Sequence, residues 1–295
     1  MKYYLQLITL FILGSNLIAC SSNEIPLENK LVAISESKSI DVKKVVPSKL
    51  IEYKKTNDIS LTLHVFNPEG HKASDNRPAI VFFHGGGWNG GSPHHFYRQS
   101  KYLADRGMVA ISAQYRTKKQ HGTSPAESVK DGKSAMRWVR AHAKELGINP
   151  NMLAAGGGSA GGQVAAAAGT ATTIEELGED KTISYRPDAL VLFNPVFDNG
   201  PGGFGYDRVK DYWQQFSPLH NVTKDTPPTV GMFGEKDTAI KVKSALEFEK
   251  LMKGLGNTVE LHIYKDQPHA FFNDAKYEET VLDMDKFLTK QGFIQ

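Results

Sequence analysis

The chain predicts an α/β fold, a mostly parallel central sheet with helices on both faces, and three observations carry that prediction. Apolar runs at Ala79–Phe83, Met108–Ala113 and Ala189–Phe193 are short and unbroken, the mark of strands covered on both faces. Segments of helical period separate them. A glycine-rich turn, Gly156-Gly-Gly-Ser-Ala-Gly-Gly162, sits where one strand gives way to an alanine-rich helix. Strands that alternate with helices are joined by crossovers, which set successive strands parallel.

The 295 residues are 40% hydrophobic and 23% charged, with a formal net charge of +3. That suits one folded domain with a substantial core, expected over residues 49–295. Charges of both signs are dispersed without a long basic run, so a nucleic-acid partner is set aside. Met1-Lys2 and the apolar run from Tyr3 to Ala19 read as a signal peptide over 1–19, marginal in length for a membrane span. Leu17-Ile-Ala-Cys20 resembles the lipobox of bacterial lipoproteins. The resemblance implies lipidation of Cys20, membrane contact through that residue only, and a bacterial cell-envelope location, periplasmic or surface-exposed. Cys20 is the single cysteine, so no intrachain disulfide is available. Residues 20–48 are polar and rich in lysine and serine, as expected of a flexible stalk.

Each element has its own signal. Ser60–Phe66 alternates in polarity and ends at Asn67-Pro68, a half-buried strand closed by a turn. Ala79–Phe83 delivers the chain into His84-Gly-Gly-Gly-Trp88. Residues 93–105 read as a helix stopped by Gly107, and Met108–Ala113 as the next strand. Ser124-Pro-Ala-Glu127 is a capping box with proline at the first helical position. An apolar stripe of Val129, Met136, Val139, Ala143 and Leu146 extends that helix to Gly147. Strands are expected at Ala189–Phe193, Thr229–Phe233 and Val259–Tyr264, and helices over about 240–252 and 277–288. Between Phe197 and Thr226 lies an irregular insert with Gly200-Pro-Gly-Gly203 and the aromatics Phe204, Tyr206, Tyr212, Trp213 and Phe216. Its composition fits a lid or pocket wall, or a packed loop with a small cluster of its own. Trp88, Phe197, Tyr206 and Trp213 are the expected pocket residues.

Gly157-Gly-Ser-Ala-Gly161 fits G-x-S-x-G, the sharp strand-to-helix turn that lifts a serine hydroxyl clear of a sheet. The same letters satisfy G-x-G-x-x-G, a dinucleotide cradle, but that reading needs a second strand ending in an acidic residue. The segment Thr170–Gly178, where such a strand would fall, is polar and loop-like. A serine hydroxyl needs a base and an orienting carboxylate to act as nucleophile. His269 lies five residues beyond the strand ending at Tyr264, and Asp237 four beyond Phe233; both precede helices. The order Ser159, Asp237, His269 is that of one hydrolase class. Asp198, beyond Asn194-Pro195, is the runner-up acid, and Asp266 is too close along the chain to His269. The other histidines, His94, His95, His121, His142, His220 and His262, are less well placed. The glycines after His84 leave N–H groups free to approach a developing oxyanion, so Gly86, Gly87 and Ala160 are expected donors. His84 is expected to brace that loop. Metal catalysis is disfavoured, because the adjacent His94-His95 cannot both aim at one ion from a helix.

Taken together, His84-Gly-Gly-Gly-Trp88, Gly157-Gly-Ser-Ala-Gly161, Gly234-Glu-Lys-Asp237 and Gln267-Pro-His269 resemble the α/β-hydrolase fold over about residues 79–272. Within it they resemble the hormone-sensitive-lipase-like and acetyl-esterase branch. The resemblance implies carboxylic-ester hydrolysis through an acyl-serine, without cofactor or metal, with Ser159 as nucleophile, His269 as base and Asp237 as its orienter. Gly158 departs from the aspartate usual in the hormone-sensitive-lipase branch and leans toward bacterial acetyl and acetylxylan esterases. The expected substrate is a small-acyl ester on an oligo- or polysaccharide. The alternatives are a general short-chain carboxylesterase, a feruloyl-type esterase, or an inactive binding module of the same fold.

Overall fold

The computed structural model describes residues 45–295 apart from Asn57. The signal peptide, Cys20 and the stalk up to residue 44 lie outside the described residues. The strands β1 (Lys49–Thr56), β2 (Ile59–Phe66), β3 (Arg77–Phe83), β4 (Val109–Ala113), β5 (Ile148–Gly158), β6 (Leu190–Phe193), β7 (Thr229–Gly234) and β8 (Val259–Tyr264) form one 8-stranded sheet. Their spatial order is β1-β2-β4-β3-β5-β6-β7-β8. Antiparallel pairing is confined to β1 with β2 and β2 with β4. From β4 to β8 every pair is parallel.

The longer helices are α1 (Tyr97–Asp105), α2 (Pro125–Ala141), α3 (Ala160–Gly169), α4 (Val242–Gly254) and α5 (Tyr277–Lys290). Alternation along the strands decides which face each covers. In β3, Ala79, Val81 and Phe83 join one core and Ile80 and Phe82 the other. The first core takes Val129, Met136 and Val139 from α2, Val164 from α3, and Ala245 and Phe248 from α4. The second takes Tyr97 and Leu103 from α1, and Val281, Met284 and Phe287 from α5. Each large apolar side chain so buried contributes about 1.5–3 kcal/mol. The two layers of helix therefore hold the central strands from both sides.

Local chemistry sets the boundaries. Ser124 and Glu127 close the capping box of α2, with Ser124 N–H donating to Glu127 Oε2 at 3.0 Å. That helix stops at Ala141 rather than running to Gly147. Ala143 and Leu146 are still buried, but from the turn that leads into β5. Strand β1, with lysines at 49, 54 and 55, is an edge strand that the polarity pattern conceals; Tyr53 is its one buried residue. The packed chain also begins earlier than residue 49. Val45 is buried in the second core, and Ser48 N–H donates to Val65 O at 2.7 Å, so the last residues assigned to the stalk belong to the domain. Among the described residues no helix is long and apolar enough to cross a membrane.

The order of strands creates the position for a site. The chain leaves β3 for β4 on one side and returns to β5 on the other, so the loops after β3 and β5 diverge at a switch point. Phe83 pairs with Gly157, Gly158 with Phe193, and Gly234 with Tyr264. Five loops thus leave the carboxyl edge of the sheet side by side.

Candidate active site

Ser159 stands between β5 and α3 with φ 55° and ψ −121°. Such a backbone costs a non-glycine residue on the order of 1–3 kcal/mol, so the surroundings must impose it. Ser159 N–H donates to Phe193 O at 2.9 Å, and Ser159 O accepts from Gln163 N at 3.1 Å and Val196 N at 3.2 Å. A side chain at 161 would run into the carbonyls of Phe83 and His84, which explains the glycine after Ala160. At 158 a Cβ would lie 2.7 Å from the Phe272 ring, so an aspartate has no room there.

The loops after β7 and β8 are tied to one another, Lys236 N–H donating to Gln267 O at 2.9 Å. Asp237 and His269 hang from these two loops. Asp237 Oδ1 accepts from the amides of Ala239 at 2.9 Å and Ile240 at 2.8 Å. Its Oδ2 lies 2.6 Å from His269 Nδ1, and the carboxylate is wholly buried. His269 Nε2 lies 3.0 Å from Ser159 Oγ, with the imidazole 28% exposed toward the cleft. With Nδ1–H committed to Asp237, the Nε2 lone pair of the neutral ring faces the serine hydroxyl. An arrangement of this kind can take the hydroxyl proton as the oxygen attacks and return it to a leaving group.

Asn194, which the sequence motifs do not single out, sits behind the relay at φ 32°. Its Nδ2 is 3.5 Å from Asp237 Oδ2 and 3.4 Å from His269 Nδ1. Asp198 is not brought to His269: its Oδ1 accepts from Gly200 N at 2.8 Å and lies 3.9 Å from His220 Nδ1. Asp266 pairs at the surface with Lys236 at 2.6 Å.

The loop after β3 is held through its carbonyls. Gly85 O accepts from His84 Nδ1 at 2.9 Å, and Gly86 O from Asn89 N at 3.0 Å and Gly90 N at 3.3 Å. A trans peptide points its N–H away from its C=O, so these bonds fix the directions of the Gly86 and Gly87 N–H groups. Both glycines line the cleft with Ser159, and Ala160 N–H opens α3 beside it. The His84 ring is stacked on Tyr115 at 4.1 Å, and Tyr115 Oη donates to His84 O at 2.6 Å. Burial lowers the His84 pKa to about 3, so the ring stays neutral and braces the loop without carrying charge. On the outer side, an Arg208 N–H donates to Gly87 O at 2.6 Å.

The cleft over Ser159 encloses about 470 Å³ and is walled by Phe204, Phe272, His95, Ala239 and Asn273. These walls differ from the expected ones. Trp88 is 1% exposed and turned inward, its Nε1–H donating to Gln163 Oε1 at 3.1 Å. Phe197 is buried in the first core and stacked on Phe248 at 3.9 Å. Tyr206 lies on a single turn at 206–209, and Trp213 packs edge-on against His220. None of the four lines the cleft: Trp88 and Phe197 are taken up by the core and Trp213 by His220. Of the insert's aromatics, Phe204 alone reaches the substrate side. His95 also faces the cleft, with its pKa lowered by burial and then by His94.

Sheet, switch point and relay together define a hydrolase of the α/β class. Two families match the chain in succession, BD-FAE over residues 63–199 and the prolyl oligopeptidase family over 184–292. Esterase LipC of Mycobacterium tuberculosis is 28% identical over 61% of this chain and 49% of its own length. The chain thus spans about half the length of that curated relative. Thermogutta terrifontis esterase 2 superposes in its native form with a TM-score of 0.81 at 37% identity, over 85% of this chain and 95% of that one. The same esterase phosphorylated by paraoxon matches with a TM-score of 0.79 at 38% identity, over 83% and 95%. The chain belongs to the α/β-hydrolase family of esterases, which are carboxylic ester hydrolases.

Proposed function

We propose that this protein hydrolyses short-chain carboxylic esters through an acyl-serine, and that its natural substrates are acetylated carbohydrates. The observation that carries the mechanism is the unbroken relay from the buried Asp237 carboxylate through His269 to Ser159 Oγ, with contacts of 2.6 and 3.0 Å. Ser159 Oγ bonds to the acyl carbon as its proton passes to His269 Nε2. The amides of Gly86, Gly87 and Ala160 receive the oxyanion. The C–O bond to the alcohol then breaks, its electron pair stays with the alcohol oxygen, and His269 returns the proton there. Water repeats the sequence in reverse on the acyl-serine, releasing the acid.

The acetyl reading is supported by the crowding beside Ser159, where the Phe272 ring lies against Gly158 in the wall of the cleft. A general short-chain carboxylesterase is the second reading. It is favoured by the T. terrifontis esterase, solved with butyrate and with propionate bound. Lipid attachment at Cys20 in a bacterial cell envelope belongs to the same proposal and rests on the sequence at 17–20 alone.

A fluorophosphonate tests the mechanism directly. It is expected to label wild-type protein once per chain at Ser159, and Ser159→Ala is expected to lose both labelling and hydrolysis of nitrophenyl acetate. Folded Ser159→Ala with full activity rejects the assignment. Nitrophenyl esters from two to eight carbons, run beside acetylated xylo-oligosaccharides and methyl ferulate, separate the substrate readings. An optimum at six carbons or more, or ferulate cleavage without acetate release, rejects carbohydrate deacetylation.

A further inference from the structure

A second groove of about 510 Å³ opens from the catalytic cleft and shares Phe204 and Ala239 with it. It is lined by Ile240, just before α4, by Ser244 in the first turn of that helix, and by Pro201, Gly202 and Gly203 of the strap Gly200-Pro-Gly-Gly203. The strap is a built feature. Gly203 N–H donates to Gly200 O at 2.8 Å and Phe204 N–H to Asp198 O at 3.0 Å, while Gly202 holds φ 83°. A side chain at 203 would meet Asp198 O at 2.6 Å, so the turn admits nothing larger.

Two properties of this groove identify what it takes. The first is its side of the site. The groove meets the cleft at Phe204 and Ala239, so it lies where the part of a substrate that extends beyond the cleft would run. A two-carbon acyl group stays beside Ser159, so the half of an acetylated carbohydrate that extends beyond the cleft is the alcohol half. The second is its lining. Asp198 and Glu247 offer carboxylate oxygens that accept hydrogen bonds from hydroxyls, and Lys241 and Lys243 balance them in charge. Pro201 and Phe204 supply flat apolar faces. Opposed charges with little net sign, next to flat apolar surface, suit a neutral polyhydroxylated ring better than an alkyl chain or an anion.

We propose that this groove is a leaving-group subsite for a neutral pyranoside. The subsite rests on the esterase reading above, and accounts for specificity that the expected aromatics, Trp88 and Phe197, are too deeply buried to provide. The test compares kcat/KM of the full chain on an acetylated xylotriose with that on nitrophenyl acetate, for wild type, Ser244→Trp and Glu247→Ala. Ser244 is half-buried and lines the groove, while the core contacts of its turn are made by Val242 and Ala245, so the indole is expected to fill the groove without entering the core. The ratio of the two kcat/KM values is expected to fall at least tenfold in Ser244→Trp and severalfold in Glu247→Ala, through KM for the saccharide. An unchanged ratio in both folded variants overturns the subsite while leaving the esterase standing. Failure of the wild type to hydrolyse nitrophenyl acetate overturns the esterase reading and the subsite with it.

Discussion

A carboxylate buried as completely as Asp237 must have its oxygens satisfied, and here two amides and one imidazole do so. Replacing it by asparagine presents an N–H₂ to His269 Nδ1 and favours the ring tautomer with its proton on Nε2, where it blocks the serine. Asp237→Asn is therefore expected to lower kcat on nitrophenyl acetate by about 10⁴-fold with the fold intact, whereas Asp198→Asn leaves most of kcat in place. Equal losses in the two variants reject the assignment. The positions of Ser159, Asp237 and His269 were legible because each follows a strand, and the carboxyl edge of a parallel sheet is where reacting groups can meet. Asn194 carried no such signal, since its contribution lies in an unusual φ at a strand end that no motif encodes. Trp88 misled because an aromatic beside a glycine loop does not reveal which way the loop turns. Its own φ of 55° points the indole at Gln163 and into the core.

At the scale of the element, α2 carries an unexpected group. Lys133 is wholly buried, and its Nζ donates to Thr172 O at 2.6 Å beneath the Tyr185 ring. Burial lowers its pKa from 10.5 to about 7. Above pH 7 the unfolded chain keeps a proton that the folded chain has given up, so stability rises with pH until the unfolded lysine also titrates. The slope from this one group is at most about 1.4 kcal/mol per pH unit. Urea denaturation between pH 6.5 and 9.5 is expected to show wild type gaining stability relative to Lys133→Met. Parallel curves mean that the lysine is charged in both states. The stripe of α2 was readable from its period, but a lysine on the buried side reads in sequence as solvent-facing. Strand β1 was lost for the complementary reason: an edge strand shows the sequence more lysine than apolar surface.

For the whole molecule, the central parallel strands were the most legible feature, since burial on both faces writes itself as unbroken apolar runs. The insert was not, because its aromatics pack on residues far along the chain, Phe197 on Phe248 and Phe216 on Trp88, in contacts that no short-range pattern records. The tether belongs to this scale too. If Cys20 bears lipid, expression in a bacterial host is expected to leave wild type in the membrane fraction and move Cys20→Ser out of it. Mass spectrometry that finds the wild-type chain unlipidated, or beginning elsewhere, refutes the anchor. The spacing of the relay across the sheet reaches further still. Ser159 hangs from β5 and His269 from β8, with β6 and β7 between them in the sheet. A slip of one residue anywhere across those strands displaces a loop by about 3.3 Å, as much as the length of the hydrogen bond it carries. Hydrolysis is thus a vernier on strand alignment: a chain with its helices formed but one of these strands a residue out of register is expected to show helical signal without turnover.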